Sequence, residues 1–359
     1  MVHIDSDKTR HLSARTNYFP LISVIFLTFF FLLSRPLPLH AEEVSCGECH
    51  TMHNSQDGSP MARDLEGNPV ETPYSVLLIS SCIGCHSNGS TATVTKVAVV
   101  NTPVVNNLSE PLGMLAGGNF FYLNADDSYG HNIFPSNPDD VLGTDPPGGA
   151  FPTGGAYEGQ LRCAGTRGCH GFNGGHAETP VDDQLYAMYG AHHGNVSPTD
   201  GSTVGKSYRF LYGIVGREDA HWEQDNLNTS HNEYKGSVGF DDATTINFFC
   251  AECHGDYHNS SGVGSSSPWL RHPTDIALPA GPTEYAQYTT YSMLAPVARA
   301  DPFNVEDTTK VEPGADIVMC LSCHRAHASP YYKLLRWDFR SGELSTALSG
   351  CGVCHTSKN

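Results

Sequence analysis

The 359-residue chain has little from which to build a conventional protein core. Strong amphipathic helices are scarce: residues 73–80, 182–193 and 331–339 carry short helix-like patterns, and the rest is patterned as turn and loop. Beyond residue 41 no apolar run approaches the roughly 20 residues that a membrane-spanning helix needs. Basic residues are few, 20 Lys and Arg against 38 Asp and Glu, so the clustered positive surface that nucleic acid or anionic membrane requires is missing. No cysteine stands outside a local pair, and none follows residue 41 directly, so nothing points to lipid attachment.

What is present begins with a leader. Lys8, Arg10 and Arg15 precede thirteen almost entirely apolar residues at 21–33 (LISVIFLTFFFLL), and Leu39-His40-Ala41 offers a small residue for cleavage. The pattern is that of a cleavable secretory signal over residues 1–41, with the mature chain starting near Glu42. An uncleaved anchor is the alternative, although the run is short for a span. The mature segment, 42–359, then carries 16 basic and 36 acidic residues, a net charge of −20. Such a charge also keeps an exported protein soluble.

Gly (36) and Pro (23) are scattered through the chain rather than confined to linkers. Side-chain burial alone has difficulty offsetting the ordering entropy of so irregular a chain. Either it does not order or a non-protein core holds it.

The twelve cysteines identify that core. Five pairs are C-x-x-C-H: Cys46/Cys49/His50, Cys82/Cys85/His86, Cys250/Cys253/His254, Cys320/Cys323/His324 and Cys351/Cys354/His355. A sixth is longer, Cys163 and Cys169 followed by His170 (CAGTRGCH). Two residues between cysteines let a tight turn set both sulfurs along the vinyl edge of a haem, and the next residue then reaches the iron. This is the c-type haem attachment signal. Zinc knuckles and disulfides do not need a histidine after every pair. In the long motif three extra residues must bulge, which leaves a disulfide or a single-thioether haem open there. Six haems in 318 mature residues amount to one per 53, so the porphyrins lie close together and supply the missing core. The expected architecture is one hexahaem domain over 42–359, mostly coil and turn with few short helices and little sheet, wrapped around a closely packed haem chain.

Low-spin electron-transfer haems need a second axial ligand. Outside the leader and the motifs stand ten histidines: His53, His131, His176, His192, His193, His221, His231, His258, His272 and His327. Ten candidates for six irons favour bis-histidine ligation over methionine, so at least four are bystanders. His53, His258 and His327 follow their motif histidines by three or four residues, too close to cap the same iron and well placed for a neighbouring one. For the long motif, His192 or His193, after a short helix, is expected ahead of His176 in its glycine-rich stretch. No C-x-x-C-K is present, which weighs against a multihaem reductase with an open iron.

The motifs in order, CGECHTMHN, SCIGCH, GHNI, CAECHGDYHN, LRHP and CLSCHRAHAS with a last motif near the C-terminus, resemble the OmcS-type hexahaem outer-surface cytochromes. The resemblance spans nearly the whole mature chain and is most specific in CHRAHAS and CHTMHN. It implies six bis-histidine c-type haems, extracellular filament assembly and an electron-transfer rather than enzymatic role. It carries over His53, His131, His258, His272 and His327 as distal ligands, with His53 crossing to the haem of Cys320, Cys323 and His324 in the next subunit. Redox proteins or extracellular acceptors are the implied partners. The middle of the chain departs from the pattern at Cys163–His170, and a monomeric periplasmic shuttle is the alternative.

Overall fold

The structure, a computed structural model, describes residues 52–56, 58–60, 71, 82–88, 103–133, 146–148, 161–173, 180–191, 199–258 and 272–357. The patterned stretch at 73–80, the first motif with Cys46, Cys49 and His50, and His176, His192 and His193 lie outside them.

Regular structure is sparse and short. Among the described residues the longest helix is Pro180–Ala187, and the sheets are pairs of strands two or three residues long. Pro180 suits the first helical position, where its missing N–H would have no partner anyway. This helix fulfils the first part of the 182–193 pattern. The helix expected over 331–339 does not form. Only Tyr332–Leu334 makes a 3-10 turn, with Lys333 and Leu334 at φ 58° and 61°. The segment pairs with the cysteine–histidine stretch instead: Arg325 N–H donates to the Leu334 carbonyl (2.8 Å) and Arg336 N–H to the Cys323 carbonyl (2.9 Å). Backbone groups committed to a neighbouring segment cannot close helical turns.

Short helices and turns recur where they seat cysteines. Cys82–His86 (CIGCH) is one helical turn, and its backbone carries both Cys82 and Cys85. Ile246–Ala251 carries Cys250 and is capped by the Thr245 hydroxyl, which accepts from Phe248 N–H (3.2 Å). Ser349–Cys354 carries the last pair. The long motif uses two short parallel strands, Arg162–Ala164 and Gly168–His170. Their register pairs Arg162 with Gly168 and Ala164 with His170, so Cys163 stands across from Cys169. The extra residues loop out, and Asp183 of the Pro180–Ala187 helix ties them down by accepting from Thr166 N–H (2.8 Å) and hydroxyl (3.0 Å).

Apolar burial is divided among three small clusters. One gathers Tyr208, Ile214, Tyr234, Ile246, Ala298, Ile317, Met319 and Leu321; a second, Leu278, Tyr288, Tyr291, Met293, Val297, Val311 and Val318; a third, Ile83, Phe120, Tyr122, Leu123 and Ala328. Cysteine-bearing segments border each of them. The buried Asn247 side chain joins two such segments: its Nδ2 donates to Asp275 (2.9 Å), and its Oδ1 accepts from Cys320 N–H (2.8 Å), fastening the Cys250 helix to the Cys320 turn. No helix among the described residues is long and apolar enough to cross a membrane.

Candidate haem-ligating sites

Four motif histidines share one arrangement. The Nδ1–H of His86 donates to the Pro103 carbonyl (2.9 Å), that of His170 to Arg209 (2.9 Å), that of His254 to Pro147 (2.6 Å) and that of His324 to Lys333 (2.7 Å). Two of the non-motif histidines repeat it, His131 with the Ala326 carbonyl (2.7 Å) and His272 with Pro273 (3.0 Å). A metal-bound imidazole is held in this way: the bond at Nδ1 fixes the tautomer and ring direction and leaves the Nε2 lone pair for the metal.

The accepting carbonyls sit on stiff backbone. Three belong to proline, whose φ is locked. Two more belong to a basic residue in the left-handed region, followed by a second residue there: Arg209 and Phe210 (φ 48° and 60°), Lys333 and Leu334 (φ 58° and 61°). In both turns the residue after the motif histidine donates its N–H to the second carbonyl, Gly171 to Phe210 (2.7 Å) and Arg325 to Leu334 (2.8 Å). Non-glycine residues rarely adopt this conformation, and it persists where surrounding contacts over-determine it. At Arg209 they do. Its N–H donates to Glu218 (2.7 Å), and its guanidinium to the Asp219 carbonyl and Asn232 (3.1 Å). Sequence reasoning overlooked both turns. Their only trace is the repeated tyrosine–basic–apolar tripeptide, Tyr208-Arg209-Phe210 and Tyr332-Lys333-Leu334.

Histidines also face one another in pairs. Ring centres lie 6.1 Å apart for His170 and His327, 6.2 Å for His131 and His254, and 6.2 Å for His272 and His355. A metal–imidazole bond is about 2 Å and Nε2 lies about 1.1 Å from its ring centre, so two imidazoles on opposite sides of one iron hold their centres about 6.2 Å apart. The residues present thus fit a haem iron between each pair. Burial holds the imidazoles neutral, as ligands must be: it lowers His86, His131, His170, His272 and His324, and takes His327 down to about 3.

The His327 ring is closely seated. Phe120 stacks on it at 4.8 Å, and the His327 backbone N–H donates to the Gly117 carbonyl (2.6 Å). A Cβ at Gly117 would press on the ring, and one at Gly118, with φ +90°, would run into the Ala328 carbonyl. The glycine pair is therefore what lets His327 reach its place. The ring 6.1 Å from His170 is His327, 157 positions away, while the expected His192 and His193 lie outside the described residues.

Two non-motif histidines are otherwise engaged. His231 stacks on Tyr291 (3.6 Å between centres) and uses both nitrogens, Nδ1 toward the Asn232 carbonyl (2.9 Å) and Nε2 toward Thr308 (3.1 Å). His221 is exposed, 3.5 Å from Asp225. His258 is buried between Phe240 and Phe248 with Nε2 3.4 Å from Asp275. His53 is exposed at φ 54°.

Nine of the twelve cysteine side chains are described, and all nine are free thiols; Cys163 and Cys169 form no disulfide. Cys46 and Cys49 lie outside the described residues, and Cys85 is described in its backbone alone. The expected attachment roles of Cys46, Cys49 and Cys85 therefore rest on the sequence motifs. Burial pushes Cys169 and Cys323 up to about 12 and Cys253 and Cys354 to about 11. Thiols of successive motifs approach one another. Cys82 is within hydrogen-bonding reach of Cys163, and Cys250 of Cys320; Cys169 feels the charge of Cys253, and Cys323 that of Cys351 and Cys354.

Comparison with known proteins agrees with this chemistry. Residues 312–359 match the doubled CXXCH motif family, which gives the last two cysteine pairs c-type haem-binding capacity. The C-type cytochrome OmcS of Geobacter sulfurreducens is 27% identical over 375 aligned positions, spanning 86% of this chain and 81% of the relative. Two solved structures align at 19% identity. The outer membrane cytochrome S filament of Geobacter sulfurreducens has a TM-score of 0.46, over 89% of this chain and 99% of that one. The OmcS nanowires from the same organism have a TM-score of 0.47, over 88% and 98%. The chain is thus similar, at 27% identity, to a c-type cytochrome along most of its length, and its last two cysteine pairs match the doubled attachment motif.

Proposed function

We propose that the chain is an exported electron conduit in which six c-type haems, one on each cysteine pair, form a row with histidine on both faces of every iron. The observation that carries this reading is the set of three histidine pairs at 6.1–6.2 Å. On this reading His170 and His327 serve the haem of Cys163 and Cys169, His254 and His131 that of Cys250 and Cys253, and His355 and His272 that of Cys351 and Cys354. His50, His86 and His324 remain for the haems of Cys46 and Cys49, of Cys82 and Cys85, and of Cys320 and Cys323. Their distal partners are drawn from His53, His258 and His192. The nearness of Cys82 to Cys163 and of Cys250 to Cys320, with the charge influence of Cys253 on Cys169 and of Cys351 and Cys354 on Cys323, supports a row in which the second to sixth motifs follow one another in space as in sequence.

Haem supplies one-electron chemistry. The protein's part is to fix each ring, hold imidazole on both faces and leave no open iron for substrate. That arrangement suits transfer rather than catalysis, and it disfavours the reductase reading. Residues 1–41 are removed on export, 42–359 form one domain, and the mature chain works at or beyond the cell surface. There it passes electrons between redox proteins and extracellular acceptors. Intact mass spectrometry should find six haems on the mature chain, and electron paramagnetic resonance of the oxidised protein only low-spin iron. Five haems, or a substantial high-spin signal, would reject the reading.

The conduit extends by polymerisation. The OmcS relative has been solved as nanowires. Here His53 is exposed, three residues after His50, and in the proposed polymer it binds the iron of Cys320, Cys323 and His324 in the next subunit. A ligand bond across each junction ties subunits together and keeps the electron path continuous. His53→Ala should abolish filaments in electron micrographs, keep six haems attached and make one haem per subunit high-spin. Normal filaments with unchanged spectra would show that His53 has no such role.

A further inference from the structure

The haem of the last motif differs from its neighbours in what holds its proximal histidine. At His86, His170, His254 and His324 the Nδ1–H meets a neutral backbone carbonyl. At His355 the neighbour is a carboxylate instead: Nδ1 lies 3.2 Å from Glu284 Oε1, an ion-pair contact without hydrogen-bond alignment, each side chain about one-fifth exposed. The chain fixes this neighbour. Thr356 gives both its N–H (2.8 Å) and its hydroxyl (2.5 Å) to the Glu284 carbonyl, locking residue 284 beside residue 355. Tyr285 packs on the His355 ring at 5.0 Å from the other flank. The opposite ligand, His272, has an ordinary carbonyl partner, so the difference is confined to one side of the iron.

We infer that Glu284 is a positioning residue that lowers the reduction potential of the haem on Cys351 and Cys354, making it the most reducing of the five haems whose proximal histidines the structure describes. The inference rests on the proposed ligation of that haem by His355 and His272. The Glu284 charge beside Nδ1 polarises the imidazole so that Nε2 becomes a stronger donor, and the same negative charge near the iron adds to the effect. Both favour the ferric state. The last motif also ends the thiol contacts, beyond Cys323. The row therefore finishes on a haem that stays oxidised until its neighbour is reduced and then passes its electron on quickly.

The test is a spectroelectrochemical titration of the full haem-loaded protein, wild type against Glu284→Gln and Glu284→Asp, with haem count and near-infrared magnetic circular dichroism on each. Glu284→Gln should move the most negative one-electron component upward by about a tenfold change in its equilibrium constant, about 59 mV, with the other components and bis-histidine bands unchanged. Glu284→Asp should move the same component less. An unmoved component in Glu284→Gln, with six bis-histidine haems intact, overturns the inference. If that variant does not mature, an unmoved component in Glu284→Asp does so. A wild-type chain short of six bis-histidine haems instead removes the ligation reading and this inference with it.

Discussion

Replacing His327 by alanine is expected to convert one haem in six from low-spin to high-spin, with all six still attached. The attachment of that haem depends on Cys163, Cys169 and His170, which the substitution leaves alone. What it removes is the ring 6.1 Å from His170, held neutral by burial, stacked on Phe120 and admitted by the glycine pair. Added imidazole should restore the low-spin signal by filling the vacated position. His231→Ala is the control. Both of its ring nitrogens are already committed to backbone carbonyls, so the spectrum should not change. An all-low-spin spectrum in His327→Ala without added imidazole would show that His327 does not face this iron.

The second large effect concerns folding. A chain made without haem attachment, by cysteine-to-serine change at all six motifs, is expected to show no cooperative unfolding transition and to be digested rapidly. The three apolar clusters are small and separate, and the helices are too short to be stable alone. In the proposed ligation the imidazoles of the three pairs find their partner in iron rather than in protein. Where a site exists only in the folded chain, ligand binding is folding free energy. A cooperatively folded, protease-resistant haem-free chain would mean that side chains alone build the core.

How much of this was legible beforehand follows from distance along the chain. Haem attachment needs contiguous residues, so the cysteine–histidine motifs stand out in any reading. The coil-rich fold was legible too, since scattered glycine and proline leave few stretches that can close helical turns. The proposed partners across an iron are not contiguous: His131 and His254 are 123 residues apart, and nothing local in either marks the other. His327 was expected to serve a neighbouring haem, yet only the fold shows it opposite His170. The 331–339 pattern misled because its backbone is spent on hydrogen bonds to Cys323 and Arg325 and on the Lys333 carbonyl that His324 uses. Glu284 could not have been singled out, since one acidic residue among 38 carries no signal until Thr356 fixes it beside His355.

The measurement that bears most directly on the account is a cryo-electron microscopy map of the secreted, haem-loaded protein. The account predicts six haems in a row, the second to sixth in sequence order. It predicts paired density from His170 and His327, from His131 and His254 and from His272 and His355 on three irons, and His53 reaching an iron of the adjoining subunit. An iron with an open face, or His327 turned away from the haem of Cys163 and Cys169, would contradict it.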